Sequence, residues 1–349
     1  MAGRKSIIRF AWGIVAFMAT IVVVLGVMVV RQAYMTNVVD PNADKDYLYI
    51  PTGSGFEDVI AILHKKNLLL NEKSFRWTAE QMKYDSHVLA GRYKLKPKMS
   101  NKELISLLRS GRQEAVKLTI NNIRTKEQLA QQVSEQLEIK PAAILSMLND
   151  TNYTRKLGFS TAAVLSMFLP NTYEVYWNTS AEKFLMRMKR EYDKYWNQNR
   201  LQLAKKMNLS PVQVSILASI VQLESNKEDE KPIIAGVYLN RFRKDWKLEA
   251  DPTLIYALGD FSVSRVLNAY KEIDSPYNTY RYKGLPPGPI CLPTMSSLSA
   301  VLNSVPHSYM YFCAKDDFSG YHAFATTYSQ HLVNARKFRM ALDKRGIRS

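Results

Sequence analysis

The chain is short of the residues that mark several common chemistries. Cysteine occurs only at Cys291 and Cys313, too few for a disulfide framework. Both sit in apolar strand-like or loop contexts that suit a free buried thiol, although an exported chain would permit a bridge. The 5 histidines are dispersed and none lies in a His-Glu-x-x-His element, which argues against a zinc hydrolase. No Gly-x-Ser-x-Gly element supports a serine hydrolase. The glycine-containing "PTGSG" at 51–55 lacks a following Gly-Lys-Ser/Thr, so it reads as turn chemistry, not a phosphate loop. No metal and no cofactor is implied. Acidic residues are in deficit as well, 31 against 48 Lys and Arg, for a net charge of +17.

Long apolar runs are scarce, with one exception. Phe10 to Val30 carries no charge, and roughly 20 apolar residues cross a bilayer as a helix. Arg4, Lys5 and Arg9 precede this run, Arg31 follows it, and Asp40 and Asp44 come soon after. The positive-inside rule then leaves residues 1–9 in the cytoplasm and exports the remainder. A cleaved signal peptide is the competing reading, but the run is long for one and "VVRQAYM" offers no small-residue cleavage site. Residues 31–45, polar with Pro41, read as a linker. On an exported chain the positive charge points away from nucleic acid. It points towards lipid head groups or a carboxylate-bearing wall polymer, beside the plain reading of a solvated basic surface.

The rest is composed like a folded chain, with 46% hydrophobic and 23% charged residues, and its length suggests about two domains. Residues 46–120 read as a small α+β unit beginning strand–helix–helix–strand. "SNKELISLLRSG" is a well-signalled helix, with Ser100 and Glu103 spaced as a capping box and Gly111 after the last turn. Thr125 and Gln128 repeat that spacing. Residues 181–207 read as one long basic amphipathic helix, with Phe184, Met188, Tyr192 and Tyr195 at helical spacing. His64 and His87 read as ordinary surface or satisfied residues.

The helix beginning at Ser210 and Pro211 carries an anomaly. Ser is a preferred N-cap and Pro a preferred first helical residue. At about 100° per residue, Leu217, Ile220 and Val221 share one sector, and Ser215, Ser219, Gln222 and Asn226 lie opposite. Glu224 falls in the middle of the apolar sector. A carboxylate taken from water costs several kcal/mol unless paired, and it responds by a raised pKa. Two readings follow: a general acid kept protonated near neutral pH, or a buried ion pair with Arg241 or Arg243. Glu228, one turn on, is a rival carboxylate.

Four motifs now stand in order: "LASIVQLES", "KPIIAGVYLNRFRKDWKLEADPTLIYALG", "SPYNTYRYKGLPPGPICLPTMSSLSAVLN" and "YMYFCAKDDFSGYHAFATTYSQHLVNA". Together they closely resemble the endolytic murein transglycosylases of the MltG (YceG-like) family. The resemblance implies an α+β fold. It would comprise a single transmembrane helix at 10–30, a small LysM-like α+β subdomain at 46–115 and a mixed, helix-rich catalytic domain at 116–349. It implies cleavage of peptidoglycan glycan strands between N-acetylmuramic acid and N-acetylglucosamine, leaving a 1,6-anhydro end, from the bacterial inner membrane. Penicillin-binding synthases would be partners; nucleic acid would not.

The family's Ser-Ile-Val-x-x-Glu motif falls on Ser219–Glu224 and assigns Glu224 as the catalytic acid. Ser225, Asn240, Asp251, Tyr277, Asn278, Thr279, Tyr280 and His322 would contact substrate, with His331 a weaker candidate. Turn and packing roles remain open for the residues of "SPYNTY", and Asp251 also reads as an N-cap before Pro252. The chain departs from the family's pattern in places. Gln222 stands where the family often has Glu, Ser225 where Thr is frequent, and Glu249-Ala250 before Asp251-Pro252-Thr253 in place of Gln-Thr. The Glu-Gly often found ahead of Phe168 is missing. A non-catalytic wall-binding scaffold and a water-using muramidase are the competing functions.

Overall fold

The computed structural model describes residues 2–39, 46–263 and 266–346, and their side chains except at 2–8 and 11. Asp40, Pro41 and Asp44, and the side chains of Arg4 and Lys5, lie outside the described residues. The fold is mixed α+β. It divides into two compact units, Met1–Val116 with Glu174–Thr179, and Lys117–Tyr173 with Ser180–Ser349.

The first unit opens with helix α1 (Ala2–Tyr34). Its segment Trp12–Tyr34 is long and apolar enough to cross a membrane and is not buried against protein. At 1.5 Å per residue those 23 residues reach about 34 Å, against a hydrocarbon thickness of about 30 Å. The stretch read as a linker is not free chain at its start. The helix runs on to Tyr34, Thr36 bridges Ser100, and Val38 bridges Leu69. The reason is Asn37, buried with both ends of its amide engaged. Its Nδ2 donates to Asn71 O at 2.9 Å and Asn101 Oδ1 at 2.6 Å, and its Oδ1 accepts from Asn71 N at 2.7 Å.

Strand β1 (Tyr47–Ile50), helices α2 (Phe56–Lys65) and α3 (Glu72–Gln81), strand β2 (Gly91–Lys94) and helix α4 (Asn101–Arg109) follow. The strands pair antiparallel, from Tyr47 opposite Lys94 to Ile50 opposite Gly91. Alternation turns Leu48, Ile50 and Tyr93 inward, onto Val59, Leu63, Phe75, Leu104 and Leu108. The capping box of α4 is present in full, Ser100 accepting from Glu103 N and Glu103 accepting from Ser100 N. Residues 174–179 join this unit through Trp177, edge-on to Tyr49 at 5.0 Å, and Asn178, which donates to Ala90 O at 3.1 Å.

The second unit is helix-rich. Strand β3 (Val116–Ile120) precedes helices α5 (Lys126–Ser134), α6 (Pro141–Asn149) and α7 (Thr151–Lys156), and strand β4 (Asn171–Val175) pairs with β3. Thr125 caps α5, but Gln128 turns its carbonyl to Arg124 N at 2.7 Å, so the expected reciprocal box is not closed. Residues 181–207 form two helices instead of one, α8 (Ala181–Tyr195) and α9 (Gln198–Lys206). The break is a new cap: Asn197 accepts from Arg200 N at 3.1 Å, and Trp196 leaves helical geometry with ψ 59°. Phe184, Met188, Tyr192 and Tyr195 are all buried.

Helix α10 (Pro211–Glu224) begins on a complete capping box between Ser210 and Gln213. Helices α11 (Lys231–Arg243), α12 (Asp251–Leu258) and α13 (Met295–Leu302) follow, then the hairpin β5 (Tyr311–Ala314) and β6 (His322–Ala325), then α14 (Tyr328–Lys344). Every residue of α10 from Val214 to Val221 is buried, including Ser215 and Ser219. Its polar side therefore does not face water, as the wheel suggested; a helix covered all round is a core helix. The polar groups are spent inside. Ser219 Oγ accepts from Ile290 N at 3.0 Å and donates to Ile216 O at 2.7 Å. Gln222 Oε1 accepts from Thr294 Oγ1 at 2.6 Å and Ser297 Oγ at 2.5 Å. Two glycines permit close approach. A Cβ at Gly236 would meet His307 Nε2 at 2.5 Å, and one at Gly288 would meet Ala162 O at 1.9 Å. Both cysteines are free, Cys291 buried and its thiol pushed up to about 12 by desolvation.

Candidate active site

Helix α10 ends at Glu224, the last helical residue, and Ser225 leaves in extended geometry with φ −144°. Glu224 is half-buried and lines a cavity of about 260 Å³. Its carboxyl Oε1 accepts from Tyr238 Oη at 2.6 Å, from α11. Burial is the largest influence on this carboxyl and raises its pKa from 4.5 to about 7; the Tyr238 hydrogen bond opposes the rise, the charge of Asp251 adds to it, and Arg241 opposes it. At neutral pH both protonation states are thus populated, as a group that donates and later accepts a proton requires.

The ion-pair reading of Glu224 does not describe this geometry. Among the described residues Arg241 spends its buried guanidinium elsewhere: on Met310 O at 2.7 Å, Leu248 O at 2.9 Å and the Glu249 carboxylate at 3.0 Å. Arg241 thereby ties the 247–249 loop to the strand region that begins at Met310. Glu249 sits in the left-handed region at φ +55°, held by that pair and by its N–H on Thr279 O at 3.2 Å. Non-glycine residues there store of order 1 kcal/mol. Glu228 is exposed and paired with Lys231 at 2.6 Å, beyond the end of α10.

Asp251 lines the same cavity. It is the first residue of α12, not its cap; Ala250 holds the cap position. Its carboxylate is free for Tyr280, whose hydroxyl donates to Oδ1 at 2.6 Å. The cavity therefore holds two phenol–carboxyl pairs, Tyr238 on Glu224 and Tyr280 on Asp251. The rest of the lining is Leu248, the Arg241–Glu249 pair and an aromatic group, Tyr311, Phe312, Tyr328 and His331. His331 stacks on Tyr311 at 5.4 Å and 23°, and burial lowers its pKa. Ring faces beside carboxyl groups suit a ligand with both C–H faces and hydroxyls.

The other sequence-selected residues do not line this cavity. Asn278 is fully buried; its Nδ2 donates to Lys271 O and Ile273 O, and its Oδ1 accepts from Tyr280 N, fixing the turn that carries Tyr280. Thr279 Oγ1 meets Thr253 Oγ1 at 2.8 Å and accepts from Ala250 N at 3.0 Å, joining that turn to the start of α12. Asn240 donates to His307 O at 2.8 Å and Tyr309 O at 3.0 Å. Ser225 and His322 both bind buried Glu230, at 3.3 Å and 2.9 Å. Tyr277 lines a separate cavity of about 460 Å³ and packs on Tyr256 at 4.6 Å.

Tyr238 sits inside the apolar run of α11 and shares no local pattern with Glu224, so nothing in the sequence marks it as part of the site. Glu249, Tyr311, Phe312 and Tyr328 are likewise cavity residues that the sequence does not single out. The density of aromatics in "YMYF" was the available signal for two of these.

Comparison with known proteins concerns the chain as a whole. A model described as the YceG-like family matches residues 48–337. The Bacillus subtilis protein named endolytic murein transglycosylase is 30% identical over 305 residues, 83% of either chain. A Streptococcus pneumoniae protein of the same name is 28% identical over 295 residues, covering 76% of this chain and 53% of its own length. The chain thus spans about half of that relative. The crystal structure of a YceG-like protein from Listeria monocytogenes superposes with a TM-score of 0.56 at 29% identity, covering 83% of this chain and 99% of that one.

Proposed function

The chain belongs to the YceG-like family, and from that premise we propose that it is a membrane-anchored endolytic lytic transglycosylase. It cuts peptidoglycan glycan strands between N-acetylmuramic acid and N-acetylglucosamine and leaves a 1,6-anhydro end. The observation that carries the reading is Glu224: one carboxyl in a cavity, raised to about 7, with a phenol on one oxygen. Tyr238 donates to Oε1, which leaves Oε2 to bear the proton and present it to the glycosidic oxygen. As the bond breaks, positive charge develops on the muramyl ring. The Glu224 carboxylate then takes the proton of that sugar's C6 hydroxyl, whose oxygen closes on C1. The nucleophile belongs to the substrate, so its effective concentration is high without a bound water.

Asp251 faces the same space as a carboxylate and favours the developing ring charge; the Tyr280 hydroxyl holds it there. The same carboxylate supports a second reading. A muramidase would use Asp251 to activate water, as paired carboxylates do in ordinary glycosidases. Mass analysis of products from purified peptidoglycan separates the two. Anhydro ends, one water lighter, support the first reading; reducing ends support the second; no cleavage supports neither and leaves a wall-binding scaffold.

Around this chemistry the proposal places α1 across the inner membrane with its N-terminus in the cytoplasm, by the charge asymmetry about its apolar run. The LysM-like first unit holds wall polymer, and the cutter works on nascent strands beside a penicillin-binding synthase. Recovery of a synthase with the full chain from native membranes tests that partnership; its absence from such recoveries counts against it.

A further inference from the structure

The first unit carries a charged cavity that the chemistry above leaves unused. It measures about 900 Å³ and is lined by Tyr34, Lys94, Lys96, Lys98, Lys102 and Arg112, among others. The five cations are all exposed, and none forms an ion pair among the described residues. Two carboxylates share the lining, and both are engaged. Glu103 caps α4 by accepting from Ser100 N at 2.8 Å, and Glu114 accepts from Tyr47 Oη at 3.1 Å.

The position of this cavity follows from the chain itself. Tyr34 is the last residue of α1, four residues beyond the end of the uncharged run at Val30. Four residues of helix rise about 6 Å. The headgroup layer outside the hydrocarbon is about 5–8 Å deep. Tyr34 therefore stands at headgroup level if α1 spans the membrane. The cations are fastened to that end of the helix. Lys102 Nζ donates to Tyr34 Oη at 2.6 Å and lies 4.4 Å from its ring centroid. Asn101 Nδ2 donates to Gln32 O at 2.8 Å, and Thr36 bridges Ser100. Thr36 Oγ1 also reaches Lys98 O at 3.3 Å. The segment 98–102 is thus fastened to the end of α1, and Lys94, Lys96 and Arg112 share its cavity.

We propose that this basic cavity binds the phosphate headgroups of anionic lipid in the leaflet at the C-terminal end of α1. The proposal rests on reading α1 as a membrane anchor. Lysines without an ion pair among the described residues, set beside an aromatic residue at the interface, attract anionic headgroups by charge within a Debye length. Lipid fits better than wall polymer because the membrane holds its headgroups at the level of Tyr34 permanently. The bound headgroups would fix the tilt of the first unit against the membrane.

The test uses the full chain reconstituted into vesicles of phosphatidylcholine alone, or of equal parts phosphatidylcholine and phosphatidylglycerol. Acylation rates of individual lysines are read by peptide mass spectrometry, with exposed Lys244 as internal reference. Lys94, Lys96, Lys98 and Lys102 should react several-fold more slowly in the anionic vesicles, and high salt should restore their rates. In the double variant Lys96→Glu/Lys98→Glu, the slowing at Lys94 and Lys102 should disappear. Equal rates in the two vesicles overturn the proposal. So does slowing produced by soluble anionic peptidoglycan fragments in phosphatidylcholine vesicles when phosphatidylglycerol gives none, because it reassigns the cavity to wall polymer. Resistance to alkaline extraction reports the anchor separately. Extraction with lysine protection retained overturns the anchor and keeps the lipid site; retention with equal rates overturns the site and keeps the anchor.

Discussion

Replacing Glu224 by Gln should make the protein progressively more stable, relative to the wild type, as pH rises. The carboxyl titrates near 4.5 unfolded and about 7 folded. A raised folded pKa means that the native state holds the proton more tightly. That contribution is fully present below pH 4.5 and is lost as pH rises through 7. The separation corresponds to ~3 kcal/mol at about 1.36 kcal/mol per pH unit. The substituted amide keeps the shape, keeps an acceptor for Tyr238 Oη and never ionises. The variant's relative stability should therefore be flat below pH 4, climb between 4.5 and 7, and level off above 8. For a unit of this size about 2–4 °C accompanies each kcal/mol, so the relative Tm should move by roughly 6–12 °C across the window. Thermal unfolding of both full chains in one detergent, at matched pH values, reads it. A difference independent of pH would mean that Glu224 titrates alike in the folded and unfolded chain, as a solvated carboxyl does, and the case for a protonated acid would fail. A relative loss of stability with rising pH would point to an ion pair outright.

Tyr238→Phe removes the hydrogen bond that favours the charged carboxylate while keeping the ring that packs edge-on to Phe312 at 5.9 Å. The high-pH limb of kcat/KM should move up by about one unit; a limb that stays or moves down refutes the assignment. Ser219→Ala should lower stability by about 1–3 kcal/mol, because Ile290 N–H loses its acceptor inside the core; denaturation of the variant checks it. Gly288→Ala should also destabilise, since its Cβ would lie 1.9 Å from Ala162 O. Overpacking of this kind costs about 1–3 kcal/mol or more, and an unchanged Tm would show that the loop is looser than described.

Local chemistry explains what was readable in the sequence. Ser100 with Glu103 and Ser210 with Gln213 close capping boxes over three residues, so their helix starts can be read directly. Asn197 was not readable, because a polar residue inside a basic amphipathic pattern looks like more of the same face. Only its hydrogen bond to Arg200 N makes it a cap. Glu224 stood out because an acid in an apolar sector is a misfit at helical spacing. The polar sector of α10 misled for the converse reason. Ser219 and Gln222 face segment 290–297, some seventy residues on, which no helical wheel can include. The cavity's other half was hidden by the same distance. Tyr238 is 14 residues from Glu224, and Tyr280 is 29 from Asp251. Asn278, Thr279 and Asn240 are expected from the sequence to contact substrate, yet their polar groups are already used by the backbone they hold. Burial, which decides that question, is not written in residue type.

The most direct test of the central claim compares wild type with Glu224→Gln, each as the full chain, on purified peptidoglycan, with products read by mass spectrometry. The wild type should release fragments ending in anhydro-muramyl sugar. The variant, folded by its own melting curve, should cleave at least about 100-fold more slowly, the loss typical of a missing general acid. Cleavage by the variant at near wild-type rate would contradict the assignment of Glu224, and reducing ends from the wild type would contradict the transglycosylase chemistry itself.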